Sequence, residues 1–220
     1  LLEKNNYKLK KIIPKFKFFD NNIEFRIIEH DFKNTDGRIL IVIPGFSKKS
    51  FYWTIGRMYK YTNDESLSDY FNKFSKMYIF DYSDVKDIFN NTEEEKINDL
   101  YDLITKYVDK IIKSFGEKNI TILARSAGGG IAIRLGMIEK KEDDDYINSI
   151  HLCAPGYKTY VDDNGKKIYI GLKDYLSVRG KSLPAIPIVI TYSIEDKRID
   201  SEEIHTMHTQ LKRNNYENYK

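Results

Sequence analysis

Three observations predict an α/β fold, a mostly parallel sheet flanked by helices on both faces. Short continuous apolar runs rich in β-branched residues recur along the chain, the clearest being Arg38-Ile39-Leu40-Ile41-Val42-Ile43. Longer stretches with apolar residues at helical spacing lie between these runs. The two kinds of segment alternate, after an opening pair of aromatic and β-branched runs that reads as an N-terminal hairpin.

The hairpin is predicted over residues 15–19 and 23–28, turning at Asp20-Asn21-Asn22. Residues 38–43 read as a central strand, because a continuous apolar run is what burial on both faces requires. Pro44-Gly45-Phe46 then breaks it into a loop. Leu67, Tyr70, Phe71 and Phe74 share one face of a predicted helix over 66–74, and residues 77–80 form the next strand. A long helix is predicted from Thr92, with Glu95 at capping-box spacing. Its stripe of Ile97, Leu100, Ile104, Tyr107, Val108, Ile111 and Ile112 is core packing, and Gly116 follows its end. Residues 120–124 form a strand, 127–138 a helix, 140–145 a charged solvated loop and 147–153 another strand. A small hairpin over 157–170 turns at Asp163-Asn164-Gly165. Residues 186–191 form a further strand and 201–211 a final helix.

Length and composition bound the function. With 220 residues, 41% of them hydrophobic and 31% charged, the chain can bury one sizeable core, and a single domain over 1–220 is expected. The net charge of +3 is small, and the lysines are interleaved with Asp and Glu, which argues against nucleic-acid binding. Cys153 is the only cysteine, so no intramolecular disulfide can form; a reducing, cytoplasmic setting is expected. No apolar run approaches the ~20 residues of a membrane span, and no signal peptide is visible, although the chain starts at Leu1 and a processed or truncated start is compatible with it. Asn90-x-Thr92 and Asn119-x-Thr121 match the glycosylation pattern, which chance accounts for in a chain without a secretory signal. No metal cluster and no cofactor motif is evident; Gly128-x-Gly130 would need a third glycine where Ile133 stands.

The run Ile120-Thr121-Ile122-Leu123-Ala124-Arg125-Ser126-Ala127-Gly128-Gly129-Gly130 carries the chemistry. A serine at a sharp strand-to-helix turn is lifted above the sheet edge, and the amide that follows points at the reacting atom. Residues two before and two after must be small where strand and helix backbones nearly touch; Ala124 and Gly128 are. The competing reading is an Ala-Gly-rich helix start packed on a sheet. Ligands of such sheets bind beyond the carboxyl ends of the strands, which singles out residues 44–47, 125–128 and 192–196.

These segments together resemble the α/β-hydrolase fold family over nearly the whole chain from Lys15. Ile41-Val42-Ile43-Pro44-Gly45-Phe46 is similar to the family's oxyanion strand and loop, with Pro44 in place of histidine. Ala124-Arg125-Ser126-Ala127-Gly128 resembles the nucleophile elbow. Ser193, Asp196 and Ile199 match the spacing of Gly-x-x-Asp-x-x-Val around the acid. The resemblance implies that Ser126 attacks an acyl carbonyl, that the amides of Phe46 and Ala127 form the oxyanion hole beside Gly45, and that Asp196 orients a histidine. Asp196 also reads as part of a solvated turn with Glu195, Lys197 and Arg198, and Glu195 is the substitute acid. Of the four histidines, His30 precedes the core sheet and His151 lies inside a strand. His205 is the candidate base and His208 the alternative, three residues apart on a helix expected to lead away from the site; otherwise the last strand and its histidine lie beyond Lys220 or are absent. The resemblance thus implies a serine hydrolase, an enzyme of the carboxylic-ester type acting on a small-molecule ester, thioester or lipid-like acyl substrate. The alternative is a catalytically silent module that binds a protein partner. Phe51, Tyr52 and Trp53 line an acyl pocket or pack in the core. Arg125 pairs with an acidic substrate group or with Asp81. The stretch 157–182 is too short for a large cap.

Overall fold

The computed structural model describes residues 7–18, 21–35, 37–82, 85, 88, 94–116, 119–142, 146–155, 158–161, 167–170 and 186–191. Seven strands form one sheet: β1 (Tyr7–Phe18), β2 (Asn21–Asp31), β3 (Arg38–Ile43), β4 (Phe74–Asp81), β5 (Ile120–Ser126), β6 (Ile147–Pro155) and β9 (Ile188–Thr191), in the order β1-β2-β4-β3-β5-β6-β9. The opening hairpin pairs antiparallel and joins the sheet through β2 and β4; the pairs from β4 to β9 are parallel. A separate antiparallel pair, β7 (Lys158–Val161) and β8 (Lys167–Ile170), matches the second predicted hairpin, whose turn lies outside the described residues.

The helices are α1 (Lys48–Thr62), α2 (Ser68–Phe71), α3 (Glu94–Ser114) and α4 (Gly128–Glu142). Their sides follow from connection handedness. β3 leads through α1 to β4 on one flank, whereas β4 leads through α3 across β3 to β5 on the other. Right-handed crossovers in opposite directions put α1 and α3 on opposite faces. The core accordingly splits in two. Ile39, Ile41 and Ile43 of β3 pack with Ile97, Leu100, Ile104 and Val108 of α3 and with Ile131 and Leu135 of α4. Leu40 and Val42, pointing the other way, pack with Phe51 and Met58 of α1 and Phe71 of α2. Buried Arg134 of α4 ties the two helices on its face together. Its Nε donates to Asp102 Oδ1 at 3.0 Å and its Nη2 to Asn98 Oδ1 at 2.8 Å, both on α3.

Several elements differ from expectation. Helix α1 was not predicted; Ser47 caps it by accepting from the Ser50 amide at 3.0 Å. The helix expected over 66–74 is instead a 3₁₀ turn at Glu65–Leu67 followed by α2, and Phe74 opens β4 by pairing with Arg38. α4 runs to Glu142, so Lys140, Lys141 and Glu142 are helical and not loop. His30 belongs to the sheet, in β2, and does not precede it. Thr92, predicted to cap the long helix, and the final helix predicted over 201–211 lie outside the described residues. No helix among the described residues is long and apolar enough to cross a membrane.

Candidate active site

The sheet has a natural crevice. β3 and β5 are neighbours, but the chain leaves β3 toward β4 and leaves β5 toward β6. Loops departing in opposite directions open a gap at the carboxyl ends of such a pair. Ile43 pairs with Ala124, so the residues that follow, Pro44-Gly45 and Arg125-Ser126, face each other there.

Ser126 ends β5 with φ +52°, a left-handed conformation that costs an L-residue about 1–2 kcal/mol. Two close approaches hold the turn in place. A Cβ on Gly128 would stand 2.3 Å from the Ile43 carbonyl oxygen and 2.6 Å from that of Pro44, so the start of α4 touches the end of β3 backbone to backbone. A Cβ on Gly45 would lie 3.3 Å from Ser126 Cβ, 3.5 Å from its Oγ and 2.9 Å from Ser50 Oγ. Glycine at both places lets the loop after β3 close on the serine. Ala127 follows in the turn, and α4 begins at Gly128, so the positive end of the helix dipole faces the same crevice.

The loop after β3 is pinned from two sides. The Gly45 amide donates to Ser50 Oγ at 3.1 Å, so Gly45 contributes close approach while its own N–H is spent on α1. The Tyr82 hydroxyl donates to the Pro44 carbonyl oxygen. Burial, then the nearby Tyr101 and Asp81, push the Tyr82 phenol well above its usual range, which keeps it a donor at neutral pH. The Phe46 ring is buried against Tyr82 and Tyr101, with centroids 5.3 and 5.2 Å away. Ser50 and Tyr82 had no signature in the sequence beyond the Ser47-x-x-Ser50 capping spacing.

Arg125 precedes the serine and turns to the α1 face. Its guanidinium lies 3.7 Å from the centroid of the Trp53 ring, and its Nη1 is 3.5 Å from Ser50 Oγ. Asp81, the partner offered for it, has Arg26 at 3.9 Å, its direct neighbour across the β2–β4 pair. Of the three aromatics expected near the loop, Phe51 is core, Tyr52 is exposed, and Trp53 lines a cavity of about 300 Å³ between α1 and the sheet. His151 lines the same cavity. Its Nδ1 lies 3.3 Å from the Tyr70 hydroxyl, and burial lowers its pKa below the usual imidazole value. It is a partnered strand histidine, as its position in the sequence implied.

The structure thus brings Gly45, Phe46, Ser126 and Ala127 to one crevice. Asp196, Glu195, His205 and His208 lie outside the described residues. Among the described residues no group of three or more His, Cys, Asp or Glu side chains is placed to hold a metal ion.

No protein-family model and no curated protein matches the chain. Solved structures do. A hydrolase by assignment from Agrobacterium vitis S4 is 13% identical at a TM-score of 0.59, over 93% of this chain and 85% of its own. An esterase of Pyrococcus furiosus is 14% identical at 0.58, over 100% and 82%. A thermostable esterase from Pseudomonas putida is 15% identical at 0.52, over 94% and 70%. The fold is therefore that of the α/β-hydrolases, as the sequence resemblance implied.

Proposed function

We propose that the chain is a serine hydrolase that cleaves small acyl esters, with Ser126 as nucleophile. The observation that supports this most is the backbone of Ser126. A non-glycine residue held at positive φ at the carboxyl end of a parallel strand, directly before a helix and against Gly45, is strain of the kind that clusters at reactive sites. The esterases among the structural neighbours are compatible with this reading.

In this reading Ser126 Oγ adds to the acyl carbonyl carbon, and its proton passes to a histidine, His205 or His208. Asp196 orients that ring and offsets its charge. The developing oxyanion takes hydrogen bonds from the Phe46 and Ala127 amides, an effect worth about 3–4 kcal/mol per donor elsewhere. Collapse expels the alcohol, protonated by the same histidine, and leaves an acyl-Ser126 ester. Water, deprotonated by the histidine, then releases the acid and restores the serine.

Hydrolysis of p-nitrophenyl acetate and butyrate by the wild-type chain and by Ser126→Ala tests the proposal. The variant should lose about 10⁴-fold or more in kcat/KM. Turnover that survives in Ser126→Ala would place the chemistry elsewhere.

A further inference from the structure

The outer side of α1 has a one-sided composition. Its inner side, Phe51, Thr54 and Met58, is buried. Its exposed positions form one continuous arc at 3.6 residues per turn: Lys48, Lys49 and Lys60, the aromatics Tyr52, Trp53 and Tyr59, and Gly56. Counting Arg57, the helix carries four cations and no carboxylate. The chain's composition does not impose this, since α3 sets five carboxylates beside four lysines. Tyr52, Trp53 and Tyr59 keep 67%, 40% and 41% of their surface in solvent. Among the described residues Val189 is the one other large apolar side chain so exposed. A single exposed aromatic is ordinary; three on one arc of one helix mark a contact surface.

The surroundings leave this face basic. Lys48 is engaged within the chain, so the charge considered is that of Lys49 and Lys60. Asp64, just past the helix, is a carboxylate near Lys60. Its charge is held mainly by the Ser66 hydroxyl and amide, at 2.6 and 3.0 Å, and less by Lys60. Trp53 is set in place by the guanidinium groups of Arg125 and Arg57, 3.7 and 5.0 Å from its ring centroid. The ring is therefore oriented before any partner arrives.

We propose that this face of α1 docks the chain on an anionic lipid surface. Tyr52, Trp53 and Tyr59 sit at the headgroup level, where rings with an apolar body and a polar end are favoured. Lys49 and Lys60 meet the acidic headgroups. A protein partner fits less well, because lysine is depleted from protein–protein interfaces. Single-stranded nucleic acid is held in a groove, whereas a helix presents a convex face. The first turn of α1 is bonded to the Gly45 loop through Ser50, so docking here brings the Ser126 crevice near the lipid. The docking does not depend on Ser126 being a nucleophile, and Ser126→Ala protein should dock equally well.

The full chain is mixed with phosphatidylcholine vesicles, with and without about 30 mol% phosphatidylserine, and bound protein is separated by flotation. Each lysine near such a surface changes partitioning about fivefold, so the pair should make anionic vesicles about thirtyfold better than neutral ones. Most of that preference should vanish at about 1 M salt, where the Debye length falls to ~3 Å. Trp53, the only tryptophan, should shift its emission to the blue on the anionic vesicles. Lys49→Gln combined with Lys60→Gln should reduce binding to the neutral-vesicle level. Lys106→Gln combined with Lys110→Gln removes two exposed lysines from α3, on the opposite face, and should leave binding unchanged. Equal binding to the two vesicles, or equal loss in both double variants, would overturn the proposal. So would binding without a Trp53 shift, which would place the contact elsewhere, and binding to neither vesicle, which would leave the face to an acidic protein or a second copy. The wild-type comparison decides the question even where a variant fails to fold.

Discussion

One added methyl group should have opposite effects at two glycines. At Gly128 the new Cβ would stand 2.3 Å from the Ile43 carbonyl oxygen, where ordinary contact begins at 3.4 Å, so the start of α4 and the end of β3 must part by about 1 Å. Both obstructing groups are backbone in the centre of the sheet, and neither can rotate away. Gly128→Ala should therefore cost at least the upper end of the ~1–3 kcal/mol typical of overpacking. For a chain of this size that lowers Tm by about 6–12 °C. At Gly56, exposed in the interior of α1, a Cβ meets nothing within 4 Å. Gly56→Ala should gain about 0.5–1 kcal/mol of helix propensity and raise Tm by about 1–4 °C. Thermal melts of the two variants beside wild type decide the matter. A Gly128→Ala melt within about 2 °C of wild type would refute the backbone contact that fixes the Ser126 turn.

Two further predictions concern strain and protonation. Ser126→Gly should be more stable than Ser126→Ala by up to about 1 kcal/mol in urea denaturation. Glycine relieves the left-handed φ of +52°, and its extra freedom in the unfolded chain offsets part of the gain; a Ser126→Gly protein less stable than Ser126→Ala would mean the turn is unstrained. The lowered pKa of His151 makes stability depend on pH. The folded state resists protonating this ring, the unfolded chain protonates it near 6.5, and so the stabilisation is full above that pH and is lost as pH falls below it toward the lowered folded value. The slope should be a fraction of the maximal ~1.4 kcal/mol per pH unit, since the ring is partly exposed and solvent screens it. Urea midpoints at about pH 7.5 and about pH 5.5 should converge in His151→Gln relative to wild type; unchanged separation would exclude His151 as the source.

Legibility in the sequence tracked how local the determining physics was. β3 could be read because burial on both faces demands an unbroken apolar run, and residues 38–43 supply one. The stripe of α3 was equally plain, since its seven positions repeat at helical spacing and six of them are fully or nearly fully buried. Helix α1 was not legible. Its buried side is Phe51, Thr54 and Met58, a stripe interrupted by a hydroxyl that is satisfied only by the Ser50 carbonyl one turn back. The segment ending in Phe74 misled for the opposite reason. Leu67, Tyr70, Phe71 and Phe74 fit one helical face, but Phe74 pairs with Arg38 in the sheet, and that long-range pairing overrides local periodicity. Lys140, Lys141 and Glu142 read as loop from charge alone, although Lys and Glu are good helix formers.

The same distinction runs through the candidate site. The strand-to-helix turn at Ser126 was legible because its steric demands are local: small residues at 124 and 128 and a serine between them. The partner of Arg125 was not. Charge suggested Asp81, but sheet register sets Arg26 directly opposite Asp81, and Arg125 instead meets the face of an aromatic ring some seventy positions earlier. Ser50 and Tyr82, which pin the loop beside Ser126, come from elements whose approach only the assembled sheet defines.

The central claim is that Ser126 is an activated nucleophile held in a strained turn. Incubating the folded chain with a fluorophosphonate probe and mapping the adduct by peptide mass spectrometry tests it most directly. The account predicts a single adduct on the peptide containing Ser126, absent from Ser126→Ala. A folded wild-type chain that takes up no probe, or takes it up equally in the variant, would contradict it.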